Sequence, residues 1–301
     1  MSHRALSTCL PMRHNTAYFQ QVFRSLFTTT SLACGLIITA LAVPASAHEY
    51  YLMPETFKPE VGKNIFVSHR LGQKFKGNEL PWVDSWNVRS EIWENGEKRE
   101  IRFTDGDRPA LRVKPKSDEL TVVVHQSNID KLDFRTWEKF VKYTDKDGLS
   151  AIARQHLAEG KPKPGEGNPP IRELYSRFAK TLMAPGGSMK GKDVVTGLTI
   201  ELVALENPMA LGPGQAMPVK LLFRGKPLEG ATLKVFTAPD TESKHRILTD
   251  AKGRADIPDD GPGPYLINAI AMTKVVATGK IANGADWESF WASMTFERRK
   301  N

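Results

Sequence analysis

The side chains best suited to coordination chemistry are the histidines, and the most suggestive one, His48, stands at a joint. In "VPASAHEYYLMPE" (Val43 to Glu55) an apolar run gives way to chain dense in charge, aromatics and proline. "PASA" sets a helix-ending proline before small residues at the last and third-last positions, the pattern that signal peptidase reads. Cleavage after Ala47 would make His48 the first residue. Its free α-amine and ring Nδ1 could then close a small chelate ring on one metal ion. A second imidazole would complete a T-shaped set of three nitrogens, a donor set that suits Cu(II) or Ni(II).

One chelate is labile, so further ligands are expected, and four other histidines follow the joint. His125 closes the apolar run "ELTVVVHQS", where an imidazole can point into a cleft. His69 shares one face of "NIFVSHRLG" with Ile65 and Val67, which also suits a satisfied core histidine. His156 falls on an expected surface helix and His245 in the polar loop "TESKHR", and neither is expected to bind metal. The expected metal set is therefore His48, His125 and His69. Neutral imidazole and deprotonated amine are the ligating forms, so binding should fail as pH falls through the histidine range.

Other chemistries find little support in the residues. There is no G-x-S-x-G, no H-E-x-x-H and no glycine loop for phosphate, so no catalytic residue is assigned. Both cysteines, Cys9 and Cys34, precede the joint, which leaves no thiol for a disulfide or a cysteine metal site beyond it. The net charge of +8 counts Arg4, Arg13 and Arg24, all before the joint; 39 basic residues against 34 acidic ones remain, spread widely. No arginine-rich helix or aromatic ladder accompanies them, which argues against nucleic-acid binding. Leu32 to Val43 is apolar but falls short of the ~20 residues that span a bilayer, so a cleavable signal and a periplasmic destination are expected.

The elements that must position these residues read as mainly β. "SEIWENGEKREIRF" has Asn95-Gly96 between two alternating runs, a strong hairpin signal. "DFRTWEKFVKYTDKDGLSAIARQHLAEG" carries apolar residues at helical spacing. "IRELYSRFAKTLMA" reads as helix too, with Leu174, Phe178 and Leu182 four residues apart. After about Asp193 short strands return, with "HRILTDAKGRADIP" read as a hairpin turning at Asp250 to Gly253. The expected architecture is two β-sandwich domains of immunoglobulin or transthyretin-like type with a helical insertion between them. Residues 1–47 would be the signal peptide and 48–190 a β-rich domain with its insertion at about 131–185. Residues 191–301 would be the second sandwich.

Several motifs together, "AHEYYLMPE", "ELYSRFAK", "GLTIELVALENP", "LLFRGKPLEGATLKVF", "TDAKGRADIP" and "WESFWASMTFE", resemble a family of exported bacterial proteins. That family is formally of unknown function and is often labelled the periplasmic component of nickel or cobalt uptake (NikM-like). The resemblance covers nearly the whole chain after the joint. It implies a transition-metal-binding accessory protein for Ni(II) or Co(II), with Cu(II) as an alternative, serving a membrane metal-uptake transporter. Tyr175-Ser176-Arg177 and Lys180 match the family's helix-motif positions, and Trp287 and Glu288 its terminal ones. The chain departs at Ala271-Met272, where His-Met is often expected in the family. The C-terminal half also resembles the carboxypeptidase-regulatory type of β-sandwich, a module that binds or spaces. Two rival readings remain: a copper mono-oxygenase with a histidine brace, and a metal-free envelope or adhesion module.

Overall fold

Alternation of apolar side chains builds most of this chain into strands. The computed structural model describes residues 49–73, 75–101, 103–238 and 244–300, all within one compact unit, Pro44–Asn301. The first strands are β1 (Glu49–Pro54), β2 (Ile65–Gln73), β3 (Lys76–Leu80), β4 (Asn87–Glu94), β5 (Glu97–Glu100), β6 (Leu111–Val113), β7 (Thr121–Ser127) and β8 (Asp130–Phe134). Two helices follow, α1 (Trp137–Lys146) and α2 (Ser150–Ala158), and then β9 (Ile171–Met183). The rest is β10 (Ile200–Ala204), β11 (Met217–Phe223), β12 (Lys226–Pro227), β13 (Thr232–Thr237), β14 (His245–Leu248), β15 (Arg254–Ile257), β16 (Gly263–Lys274) and β17 (Trp287–Arg298).

The fold is mainly β and sandwich-like. A nine-stranded sheet runs β14-β13-β16-β17-β9-β7-β4-β5, with β8 also on β9. It interleaves strands from both halves of the chain, and β17 joins β9 in parallel. Each face of this sheet is covered. On β7, Val122 and Val124 pack with the residues of β10 and β11, whereas Val123 packs with β1 and β2. Period-two alternation thus sends neighbours to opposite layers. The small sheet of β10, β11, β12 and β15 covers one face, and the sheet of β1, β2, β3 and β6 covers part of the other. Beside the latter sit α1 and α2, packed through Phe140, Tyr143 and Ile152 on Phe134, Ile171 and Trp287.

The Asn95-Gly96 hairpin forms between β4 and β5, both residues having the positive φ (52° and 76°) that a two-residue turn of this twist needs. Helix α1 starts at Thr136, whose side chain accepts from the Lys139 N–H, and it buries Phe140, Tyr143 and Thr144. Gly148 ends it against β13: a Cβ there would stand 2.2 Å from Thr232 Oγ1, so only glycine fits. The adjoining Asp147 accepts a hydrogen bond of 2.5 Å from Lys234, fixing the helices to the sheet.

Three expectations need correction. "IRELYSRFAKTLMA" is not helix but β9, a long strand at the heart of the nine-stranded sheet. A four-residue spacing repeats a face in a strand as well as in a helix, and here the sheet neighbours decided. The insertion at 131–185 is accordingly confined to α1 and α2, with Asp133 and Phe134 in β8. "HRILTDAKGRADIP" does turn at Asp250 to Gly253, where the Gly253 N–H donates to Asp250 O. Its two strands nevertheless part: β14 pairs with β13 and β15 with β11, so the turn crosses between layers.

Candidate metal and ligand site

β7, β9 and β1 bring the site together. His125 points from β7 toward the β1–β2 layer, on the face of Thr121 and Val123, and His69 reaches it from β2. The two rings lie 4.3 Å apart, centre to centre, with an interplanar angle of 52°. Tyr50 packs on both, at 5.6 Å from His69 and 5.5 Å from His125, and Trp82 closes the far side. Both imidazoles are buried. A metal–nitrogen bond of about 2.0–2.1 Å puts two imidazoles at right angles on one ion roughly 4.5 Å apart at their centres. The observed centre-to-centre distance of 4.3 Å is close to that spacing.

Hydrogen bonding sharpens the fit. His125 Nδ1 is 2.8 Å from Ser90 Oγ, its cross-strand partner on β4. A neutral ring that gives Nδ1–H to the serine keeps Nε2 as a free lone pair, as a metal ligand requires. His69 Nε2 is buried and has no hydrogen-bond partner among the described residues. A buried orphan of this kind costs about 1–3 kcal/mol and calls for an explanation. Burial holds the His69 ring neutral, pushing its pKa down to about 3. His125 is also held well below its ordinary value, first by burial, then by His69 and by the cationic Arg177. Both rings are therefore ready to donate a lone pair at neutral pH.

The histidines form the inner wall of a cavity of about 400 Å³. Its mouth is framed by Trp86 just ahead of β4 and Asn87 at its start, by Asn128 and Asp130 where β7 gives way to β8, and by Tyr175 and Arg177 on β9. Arg177 lies over the Tyr175 ring at 4.7 Å and the Tyr50 ring at 5.5 Å. The Tyr175 hydroxyl donates to Asp130 at 2.8 Å. Trp86 stays 53% exposed at the rim.

Of the expected ligands, the structure brings His69 and His125 together, while His48 lies outside the described residues. Among the described residues no group of three or more His, Cys, Asp or Glu side chains is gathered as a metal would need. His156 is not a surface residue: it is 1% exposed, accepts from Trp287 Nε1 at Nδ1 (3.4 Å) and sits 3.0 Å from Pro162 O. His245 pairs with Asp260 at 3.0 Å. Ala271, where the resemblance led to an expected histidine, faces the apolar core under β10 and β11.

The family-motif positions fall in three places. Tyr175 is at the cavity. Lys180 is fully buried on the opposite face of β9, where it donates to Asp193 (3.0 Å), Glu201 (2.9 Å) and Val194 O (3.1 Å). Trp287 and Glu288 belong to the helix side and the end of β17, Glu288 accepting from the Val276 N–H. Tyr50, Ser90 and Arg177 had no place in the expected ligand set; Tyr50 packs on both rings, Ser90 pairs with His125, and Arg177 lies over the Tyr50 ring. The signal for Arg177 was its two-residue offset from Tyr175, visible once the segment is read as strand.

Fold and site together define a mainly β protein with a buried histidine pair at the back of an aromatic-rimmed cavity. The chain belongs to the family described as a domain of unknown function (DUF4198), whose model matches residues 45–273. No curated protein matches it. Among solved structures it is similar to the D0-D1 domain of Intimin, at 13% identity over 82% of this chain and 97% of that one, with a TM-score of 0.19. The human OSCAR ligand-binding domain is similar at 13% identity over 75% of this chain and 92% of that one, with a TM-score of 0.18. At those TM-scores neither carries an argument here.

Proposed function

We propose that this protein is an exported, non-catalytic binder of a transition-metal ion, Ni(II) or Co(II) before Cu(II), that serves metal uptake through a membrane transporter. The observation that supports this reading is the His69–His125 pair, with rings 4.3 Å apart, one Nδ1 held by Ser90 and the other ring's Nε2 without a partner. His48 is the proposed third ligand. It precedes Tyr50 by two residues, at most about 7 Å of chain, and Tyr50 itself touches both rings. Cleavage after Ala47 would add its amine to the set. The C-terminal strands, with their transthyretin-like resemblance, serve in this reading as the scaffold behind the site.

Calorimetric titration of Ni(II), Co(II) and Cu(II) into chain beginning at His48 tests the proposal. His125→Ala and His69→Ala should each weaken binding at least tenfold, and a chain beginning at Glu49 should lose the tightest phase. Equal affinity in all four proteins would remove the pair from the mechanism.

A further inference from the structure

Arg177 differs from four of the other arginines that are drawn into the body of the protein, while Arg70 donates to a backbone carbonyl, Gly77 O. Arg89, Arg99, Arg172 and Arg298 each hold a carboxylate, those of Glu91, Glu94, Asp133 and Asp259. Arg177 holds none among the described residues; its side chain makes one long contact, 3.5 Å to the Tyr175 hydroxyl. Its guanidinium carbon instead lies over two rings, Tyr175 at 4.7 Å and Tyr50 at 5.5 Å from their centres. Ring contacts occupy the faces of a guanidinium and leave its N–H groups to a ligand. Arg177 lines the 400 Å³ cavity, a volume suited to a small molecule.

The polar neighbours leave the task to Arg177. Asp130, the carboxylate of the cavity wall, accepts from the Tyr175 hydroxyl with one oxygen and from the Lys131 N–H with the other. The Asn128 amide donates to Ser85 O, and the Asn87 amide donates to Val83 O. An arginine fork without a partner matches the planar, bidentate geometry of a carboxylate. A bare divalent cation would meet repulsion from that guanidinium, whereas an anionic chelate satisfies both ends of the cavity.

We propose that this cavity is a binding site for a small organic carboxylate held by Arg177, and that the metal enters as the chelate of such an acid. The second clause rests on the metal-binding reading above; the first does not.

Citrate is a suitable probe. Titrated calorimetrically into metal-free chain beginning at His48, it should bind, and Arg177→Gln should weaken it about ten- to a hundred-fold. Arg177→Lys, which keeps the charge and much of the packing but loses the fork, should fall between the two. The double variant His69→Ala/His125→Ala should keep metal-free citrate binding and lose the tighter binding of Ni(II)-citrate. Absence of citrate binding in the parent protein, or equal affinity in parent, Arg177→Gln and Arg177→Lys, would overturn the carboxylate site. Citrate binding that depends on Arg177, with Ni(II)-citrate no tighter in the parent than citrate alone, would support the carboxylate site and overturn metal delivery.

Discussion

On one face of β9, four residues separate Glu173 from Arg177, about 13 Å along a strand. Their surroundings treat charge in opposite ways. Glu173 is sealed under α1: its Oε1 accepts from the Tyr143 hydroxyl (3.0 Å) and from Ser289, while Oε2 is buried with no partner. Burial lifts its pKa to about 7. Arg177 stands at the mouth of a cavity, and the histidines beneath it are held neutral. The sealed region thus spends polar groups on internal order. The open region keeps an unmatched cation and two lone-pair donors facing a space. A strand with one pattern of alternation serves both, because what lies above it changes from helices to a second sheet.

The largest effect that tests this contrast is steric. Trp287 is fully buried in the sealed region, against His156 and under Lys161, so Trp287→Ala should cost about 3–5 kcal/mol in chemical denaturation. Trp86→Ala at the cavity rim should cost within about 0.5 kcal/mol, its ring being mostly in solvent. Comparable losses would mean that the rim is structural rather than a free wall.

Next is the carboxyl group. A folded pKa near 7 against an ordinary value of 4.5 means that the folded chain holds a proton the unfolded chain has released. Glu173 therefore favours folding most below pH 4.5, and that contribution is lost as pH rises through 7, on the order of 3 kcal/mol in all. Glu173→Gln should flatten this part of the stability profile. A profile that keeps the same slope between pH 4.5 and 7 would show that the carboxyl is not the titrating group.

Much of this arrangement was legible beforehand. Alternation gave β2, an apolar run gave β7 and the Asn95-Gly96 turn gave the β4–β5 hairpin, and the strand-end position of His125 and the apolar face of His69 pointed to the pair that does meet. Arg177 stood out only as a motif position, and its place beside Tyr175 was hidden by the helical reading of the segment. Two residues apart, Tyr175 and Arg177 diverge by about 200° around a helix but share a face in a strand. His156 was misplaced for another reason. Its helix is only weakly amphipathic, and the groups that bury its ring include Trp287, 131 residues away. Local pattern reports periodicity; it does not report which distant surface will cover a given side.

The histidines should give the opposite slope to Glu173. With a folded pKa near 3 against 6.5, the folded chain declines a proton that the unfolded chain accepts. His69 thus supports the fold fully above pH 6.5 and loses that support as pH falls toward 3, on the order of 2 kcal/mol by pH 5. In metal-free protein, His69→Phe should reduce the acid sensitivity between pH 6.5 and 5. The same acid sensitivity in the variant would show that the ring is not held neutral by burial.

The smallest change is the most selective. Ser90→Ala removes one hydroxyl from His125 Nδ1 and should cost about 1 kcal/mol of stability, the net worth of an ordinary hydrogen bond. If the serine sets the tautomer, the same variant should weaken Ni(II) binding about ten- to a hundred-fold, as loss of an orienting outer partner does. Ser90→Thr, which restores the hydroxyl, should recover most of that affinity. Recovery of stability without recovery of metal affinity would leave Ser90 a packing residue and return the open region to the same footing as the sealed one.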